Sequence, residues 1–141
     1  MAKPTDKLDA EPSANGPKGQ TDWNAIDWRR QNRLVANLRK RIFRATRAGD
    51  YRKVRNLQKL MLRSWSNTLV SVRRATQRNA GRKTAGIDGE VALTAPARMD
   101  MAVRTHRTIR SWRPRAVRRV YVPKAGNRAK LRPLGIPTDA A

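Results

Sequence analysis

Residues 50–79, DYRKVRNLQKLMLRSWSNTLVSVRRATQRN, decide the architecture of this chain. Val54, Leu57, Met61, Trp65, Leu69 and Val72 recur at spacings of three and four, which gathers them on one face of a helix with 3.6 residues per turn. Arg52, Arg55, Lys59 and Arg63 form a second stripe nearly opposite. Asp50 suits the position just before such a helix, where a carboxylate accepts the unpaired backbone N–H groups of the first turn. The spacing predicts one amphipathic helix from Asp50 to about Asn79, apolar on one side and basic on the other.

Toward the N-terminus, Gly49 is a natural left-handed stop for a preceding helix. That helix is predicted to begin near Trp23 or Asn24, with Asn24 as its cap and Asp27 three residues on. Leu34, Val35, Leu38, Ile42 and Ala45 gather on one side of it, and Arg33, Lys40, Arg44 and Arg47 on the other. A short glycine-containing link makes the two helices antiparallel neighbours, apolar stripe to apolar stripe. Both basic rows then face outward. A merely solvated face would place Glu four residues before Lys or Arg. Glu is nearly absent here, which favours a polyanionic partner.

Toward the C-terminus, AGRKTAGIDGE (residues 80–90) has three glycines and no periodicity, so it is read as a loop. A third helix is predicted from Thr94 as cap and Pro96 in the first turn, through Met99, Ala102, Val103 and Ile109 toward Trp112, before Pro114 ends it. The pattern then changes to RAVRRVYVPK, AGNRAK and LRPLGIP. Val117, Val120, Tyr121 and Val122 are strand formers, and Gly126-Asn127 supplies a turn, so a β-hairpin is predicted. Pro123, Pro133 and Pro137 put it at an edge or at strand ends, because proline donates no ladder bond. The fold class is therefore α+β: an N-terminal helical hairpin or small helical bundle followed by a β-hairpin.

The 141 residues carry 33 Lys and Arg against 10 Asp and Glu, a net charge of +23. Such an excess repels itself on folding and is commonly offset by a polyanion. Nucleic acid fits first, since neutralising phosphates releases condensed counterions. An anionic membrane surface and a solvated basic surface stay open on charge alone. The charge is unevenly placed: residues 1–22 hold three basic and four acidic residues and are rich in Pro, Gly, Ser and Asn. That segment is predicted to be a disordered tail.

The chain has no Cys and a single His, His106, so thiolate and His-based metal sites and a His-centred triad lack material. No apolar stretch approaches the ~20 residues that span a bilayer, and the N-terminus lacks a secretory pattern. No membrane association and a cytoplasmic setting are expected. Asp88, isolated between Gly86 and Gly89, reads as a turn brace, with glycines that tolerate positive φ.

The order of these pieces carries a resemblance. Trp23 through Trp28 (WNAIDW), AGDYRKVRNLQKLMLRS, VRRATQRNAGRKTAGIDG, RRVYVPK and RPLGIP together resemble the N-terminal region of group II intron-encoded reverse transcriptases and maturases. The similarity covers about Trp23 to Thr138. It implies a helical N-terminal extension over residues 23–112, with the Gly-rich loop 80–90, and a hairpin of partial polymerase fingers over residues 113–138. Residues 139–141 read as a truncated end, before any palm.

The implied partners are group II intron RNA and a template strand, in support of splicing and RNA-directed DNA synthesis. By the residue pattern, the RNA-binding candidates are Arg33, Lys40, Arg44, Arg47, Arg52, Arg55, Lys59, Arg63, Arg73, Arg74, Arg82 and Lys83. By the resemblance, Lys124 and Arg132 lie near the template and the nucleotide phosphates, and the turn at Gly86, Asp88 and Gly89 lies near the template path. The palm carboxylates, including a Tyr-X-Asp-Asp motif, do not occur in this sequence. No catalysis is expected from the chain alone, and no cofactor; Mg²⁺ belongs to the full-length polymerase. Three other readings remain: fingers acting in trans with a separately encoded palm and thumb polypeptide, a generic basic nucleic-acid-binding protein, and a pseudogene remnant.

Overall fold

Ser64 interrupts what the apolar spacing presents as one helix. In the computed structural model, which describes residues 22–86 and 88–136, the chain forms α2 over Tyr51–Leu62 and α3 over Trp65–Arg73. The backbone of Ser64 is extended, and its hydroxyl accepts the Asn67 N–H at 3.4 Å. A serine in that conformation satisfies the start of a new helix and competes with continuation of the old one. The predicted single helix to Asn79 is thus two helices, closed by a π-helical turn at Arg74–Arg78. The stripe itself survives the break: Leu57, Trp65, Leu69 and Val72 are buried, while Val54 and Met61 are half-buried.

Helix α1 spans Trp28–Arg47, starting later than predicted. Asp27 caps it by accepting the Arg30 N–H at 2.9 Å, and Asn24 lies in the turn before it with its own N–H on Asp22. The later start frees Trp23 and Ile26 to turn inward, and both are buried. Gly49, at φ +70°, ends the first helix region as expected, because only glycine takes that backbone without strain. Asp50 then caps α2 through the Lys53 N–H at 3.0 Å.

Helix α4 spans Ala95–Thr108, with Thr94 as cap and Pro96 in the first turn, as its sequence predicts. It stops short of Trp112. The Thr108 hydroxyl bonds back to the Arg104 carbonyl, and the Ser111 N–H closes a turn on the Thr108 carbonyl at 2.9 Å. Such hydroxyl back-bonding favours helix ends over helix interiors.

The main core lies on α3 rather than between α1 and α2. Trp65, Leu69 and Val72 of α3 pack with Trp23 and Ile26 from the N-terminal turn and with Met99, Met101 and Ala102 of α4. Leu69 and Ala102 have no exposed surface. Helix α1 joins this arrangement through a buried polar link between Gln31 and Ser66, at 2.6 Å.

Strands β1 (Arg118–Lys124) and β2 (Asn127–Ile136) form an antiparallel hairpin, completing the α+β fold. Its turn is Ala125–Gly126, one residue earlier than the predicted Gly-Asn pair. Gly126 takes φ +82°, and Asn127 already pairs with Lys124. The ladder is regular from Arg118–Ile136 to Pro123–Leu131 and then shifts at Lys124, just past the proline that cannot donate. None of the hairpin is buried; Val120, Val122 and Ile136 are half-buried. Pro137, residues 1–21 of the predicted tail and the terminal 139–141 lie outside the described residues.

Candidate nucleic-acid interface

Between Trp28 and Gly86 the sequence holds eighteen lysines and arginines and one acid, Asp50, whose carboxylate is spent on a helix cap. Arg33, Lys40, Arg44 and Arg47 are exposed on α1, and Arg52, Arg55 and Lys59 on α2, with Arg63 at its C-cap. The amphipathic pattern thus places these residues outward. Arg82 and Lys83 are exposed on the turn after the π-helical segment. The region beyond differs electrostatically: Arg104 of α4 meets Glu90 at 3.1 Å and Asp100 at 2.9 Å. Those carboxylates hold its guanidinium above arginine's ordinary value, chiefly through the hydrogen bond to Glu90.

Arg73 and Arg74 diverge from the other sequence candidates, because they enter a groove. Arg39 and Asn32 of α1 form one wall, and Arg73, Arg74, Arg78 and Asn79 form the other, around a space of about 630 Å³. The Arg73 guanidinium lies over the Trp28 ring, with its carbon 4.3 Å from the centroid. This contact is a cation–π stack that fixes the arginine's plane. Trp28 is itself backed by Trp23, with centroids 4.9 Å apart.

Arg73 is held in an unusual state for an arginine. Its Nε is buried without a hydrogen-bond partner. Partial burial, and then the nearby charge of Arg78, push its proton affinity below arginine's ordinary value. The π-helical turn causes the second effect. In an α-helix residues five apart diverge by about 140°, whereas an i→i+5 turn, closed here by the Asn79 N–H on the Arg74 carbonyl at 2.8 Å, brings such residues toward the same side. Sequence periodicity missed Arg39 and Arg78. An Arg-rich segment ending in Asn-Ala-Gly carries no signal that its last turn will widen.

The glycine loop behaves as a turn. Asp88 accepts the Glu90 N–H at 3.5 Å, the Gly89 N–H meets the Gly86 carbonyl at 3.1 Å, and Gly89 takes φ +70°. Lys124 and Arg132 are exposed on the hairpin, Lys124 at its tip opposite Asn127 and Arg132 opposite Val122. They lie outside the arginine groove. Among the described residues no group of three or more His, Cys, Asp or Glu side chains could hold a metal ion, and no helix is long and apolar enough to cross a membrane.

Residues 23–105 match the family described as the N-terminal domain of reverse transcriptase. The chain is also 26% identical over 92 residues to maturase-like protein 1 of Euglena gracilis, across 65% of this chain and 20% of that protein. It therefore spans about a fifth of the length of that curated relative.

Proposed function

Because this chain belongs to the family of reverse transcriptase N-terminal domains, we propose that it is an RNA-binding module, with group II intron RNA and a template strand as its partners. The observation that carries this reading is the lone acid among eighteen basic residues from Trp28 to Gly86. A surface built that way leaves its cations to be neutralised from outside, and a phosphate backbone does so with release of counterions. RNA rather than duplex DNA is the choice supported by the family and by the maturase-like relative. In this reading the exposed rows on α1 and α2 track the RNA backbone, and Lys124 and Arg132 approach the template and nucleotide phosphates. The module grips RNA and leaves phosphoryl transfer to a palm with its own Mg²⁺.

Filter binding of a structured intron RNA at several salt concentrations tests this. The logarithm of the affinity is expected to fall linearly with the logarithm of salt, by roughly 0.7 to 0.9 for each phosphate contacted. Duplex DNA of equal length should compete poorly. Affinity indifferent to salt, or equal competition by duplex DNA, refutes the proposal.

A further inference from the structure

The exposed basic rows and the arginine groove are different kinds of surface. On the rows the cations are exposed to water, and the aromatic contact that Arg47 makes there is looser, 5.9 Å from the centroid of the exposed Phe43 ring. In the groove, Arg73 is oriented by Trp28, partly desolvated and set against Arg78, with Arg39 and Arg74 on the rim. Bringing like charges together out of water costs free energy, and no carboxylate lines the groove to offset it. The cost is recovered when an anion enters. A planar guanidinium whose orientation is already fixed loses little entropy when it donates to phosphate oxygens. The Asn79 amide adds a neutral donor, and Asn32, whose amide donates one N–H to the Trp28 carbonyl at 2.7 Å, has a second N–H left, which suits a singly charged phosphodiester.

We propose that this groove seats one backbone phosphodiester of the bound RNA, with Arg73 and Arg78 donating jointly to it. It rests on the RNA-binding reading above and adds a defined anchoring point to it. The RNA strand would then cross the junction of α1 with the end of α3 in a fixed position, while the outer rows bind the backbone in many registers. The π-helical turn is what builds the seat, since it aligns Arg78 with Arg73.

The test is a double-substitution cycle on the full chain, read by filter binding of a structured RNA over a series of salt concentrations. Arg78→Gln is expected to weaken binding roughly tenfold, as for a lost charge-assisted contact, and to lower the salt slope by about 0.7 to 0.9. Arg73→Gln should do the same, and the two together should cost little more than either alone, because they serve one phosphate. Arg55→Gln, on the open face of α2, should cost less and should add fully to Arg78→Gln. Arg73→Lys keeps the charge but loses the fork, and should fall between wild type and Arg73→Gln.

Urea midpoints accompany each variant. If Arg73→Gln unfolds, Arg73→Lys takes its place in the cycle with Arg78→Gln, and the two effects are again expected to be less than additive. Full additivity within the groove, or groove variants no weaker than Arg55→Gln, overturns the seat while leaving RNA binding intact. A wild-type chain that does not bind RNA overturns both. Stabilisation by millimolar inorganic phosphate at constant ionic strength, lost in Arg78→Gln with RNA affinity unchanged, would make the groove a free-phosphate site and overturn the proposal.

Discussion

The Ser66 hydroxyl donates a 2.6 Å hydrogen bond to the Gln31 side-chain oxygen, and both residues are buried. This bond ties α1 to α3 across 35 positions of sequence. Arg73 is seven residues on from Ser66 in α3, about two turns, so the bond lies on the same stripe of that helix as the arginine of the groove. Groove geometry and core packing are therefore mechanically joined at this point.

Ser66→Ala leaves the buried Gln31 oxygen without its donor and is expected to destabilise the fold by about 1–3 kcal/mol. Urea denaturation followed by far-UV circular dichroism measures it. Adding Gln31→Met, which removes the stranded polar group, should recover part of the loss. A double variant no more stable than Ser66→Ala would mean that the bond contributes nothing specific.

Asp50→Ala separates folding from binding. It removes the α2 cap and should cost about 0.5–2 kcal/mol of stability. It also deletes the lone negative charge of the basic region, so RNA affinity at low salt should hold or rise slightly. Thermal melts and filter binding on the same preparation read the two effects. A parallel fall in both would show that α2 melts locally when uncapped.

Glu90→Gln tests a region where the chain neutralises its own arginine. Because Glu90 holds Arg104 above arginine's ordinary value, the pair contributes stability from neutral pH up to arginine's unfolded range, and the arginine's share is lost as pH rises through the folded value. Arg104 should thus add no slope to stability between pH 6 and 9. More than half of its side chain is exposed, so water and salt reduce the pair to about 0–1 kcal/mol. Denaturant midpoints for both proteins across that pH range provide the check, and a larger loss would point to a role for Glu90 in the glycine turn.

The helical and hairpin elements were legible where local chemistry decides them. Gly49, Asp50 and Thr94 sit where their backbone or side-chain preferences demand, and the exposed rows on α1 and α2 follow from spacing alone. The break at Ser64 was hidden because Met61 and Trp65 are four residues apart, so the stripe runs through it in register. Asn24 and Asp27 are both capping residues, and only burial of Trp23 and Ile26 chooses between them. The groove was the least legible part. Arg39 enters from a helix whose contact with α3 is a tertiary fact, and Arg78 is aligned by a widened turn that no composition announces. The resemblance to reverse transcriptases identified the family across that gap without locating the arginine cluster.

A basic region with Asp50 as its only internal counterweight puts dissolved ions in a double role. Added electrolyte relieves the mutual repulsion of α1, α2 and the arginine cluster, and so favours the folded chain. In the proposed RNA-binding role the same ions would loosen its hold on the phosphate backbone. Dilute buffer is then where the free chain is least stable and the proposed grip strongest, so that in the RNA-binding reading the nucleic acid is itself the counterion that completes the fold.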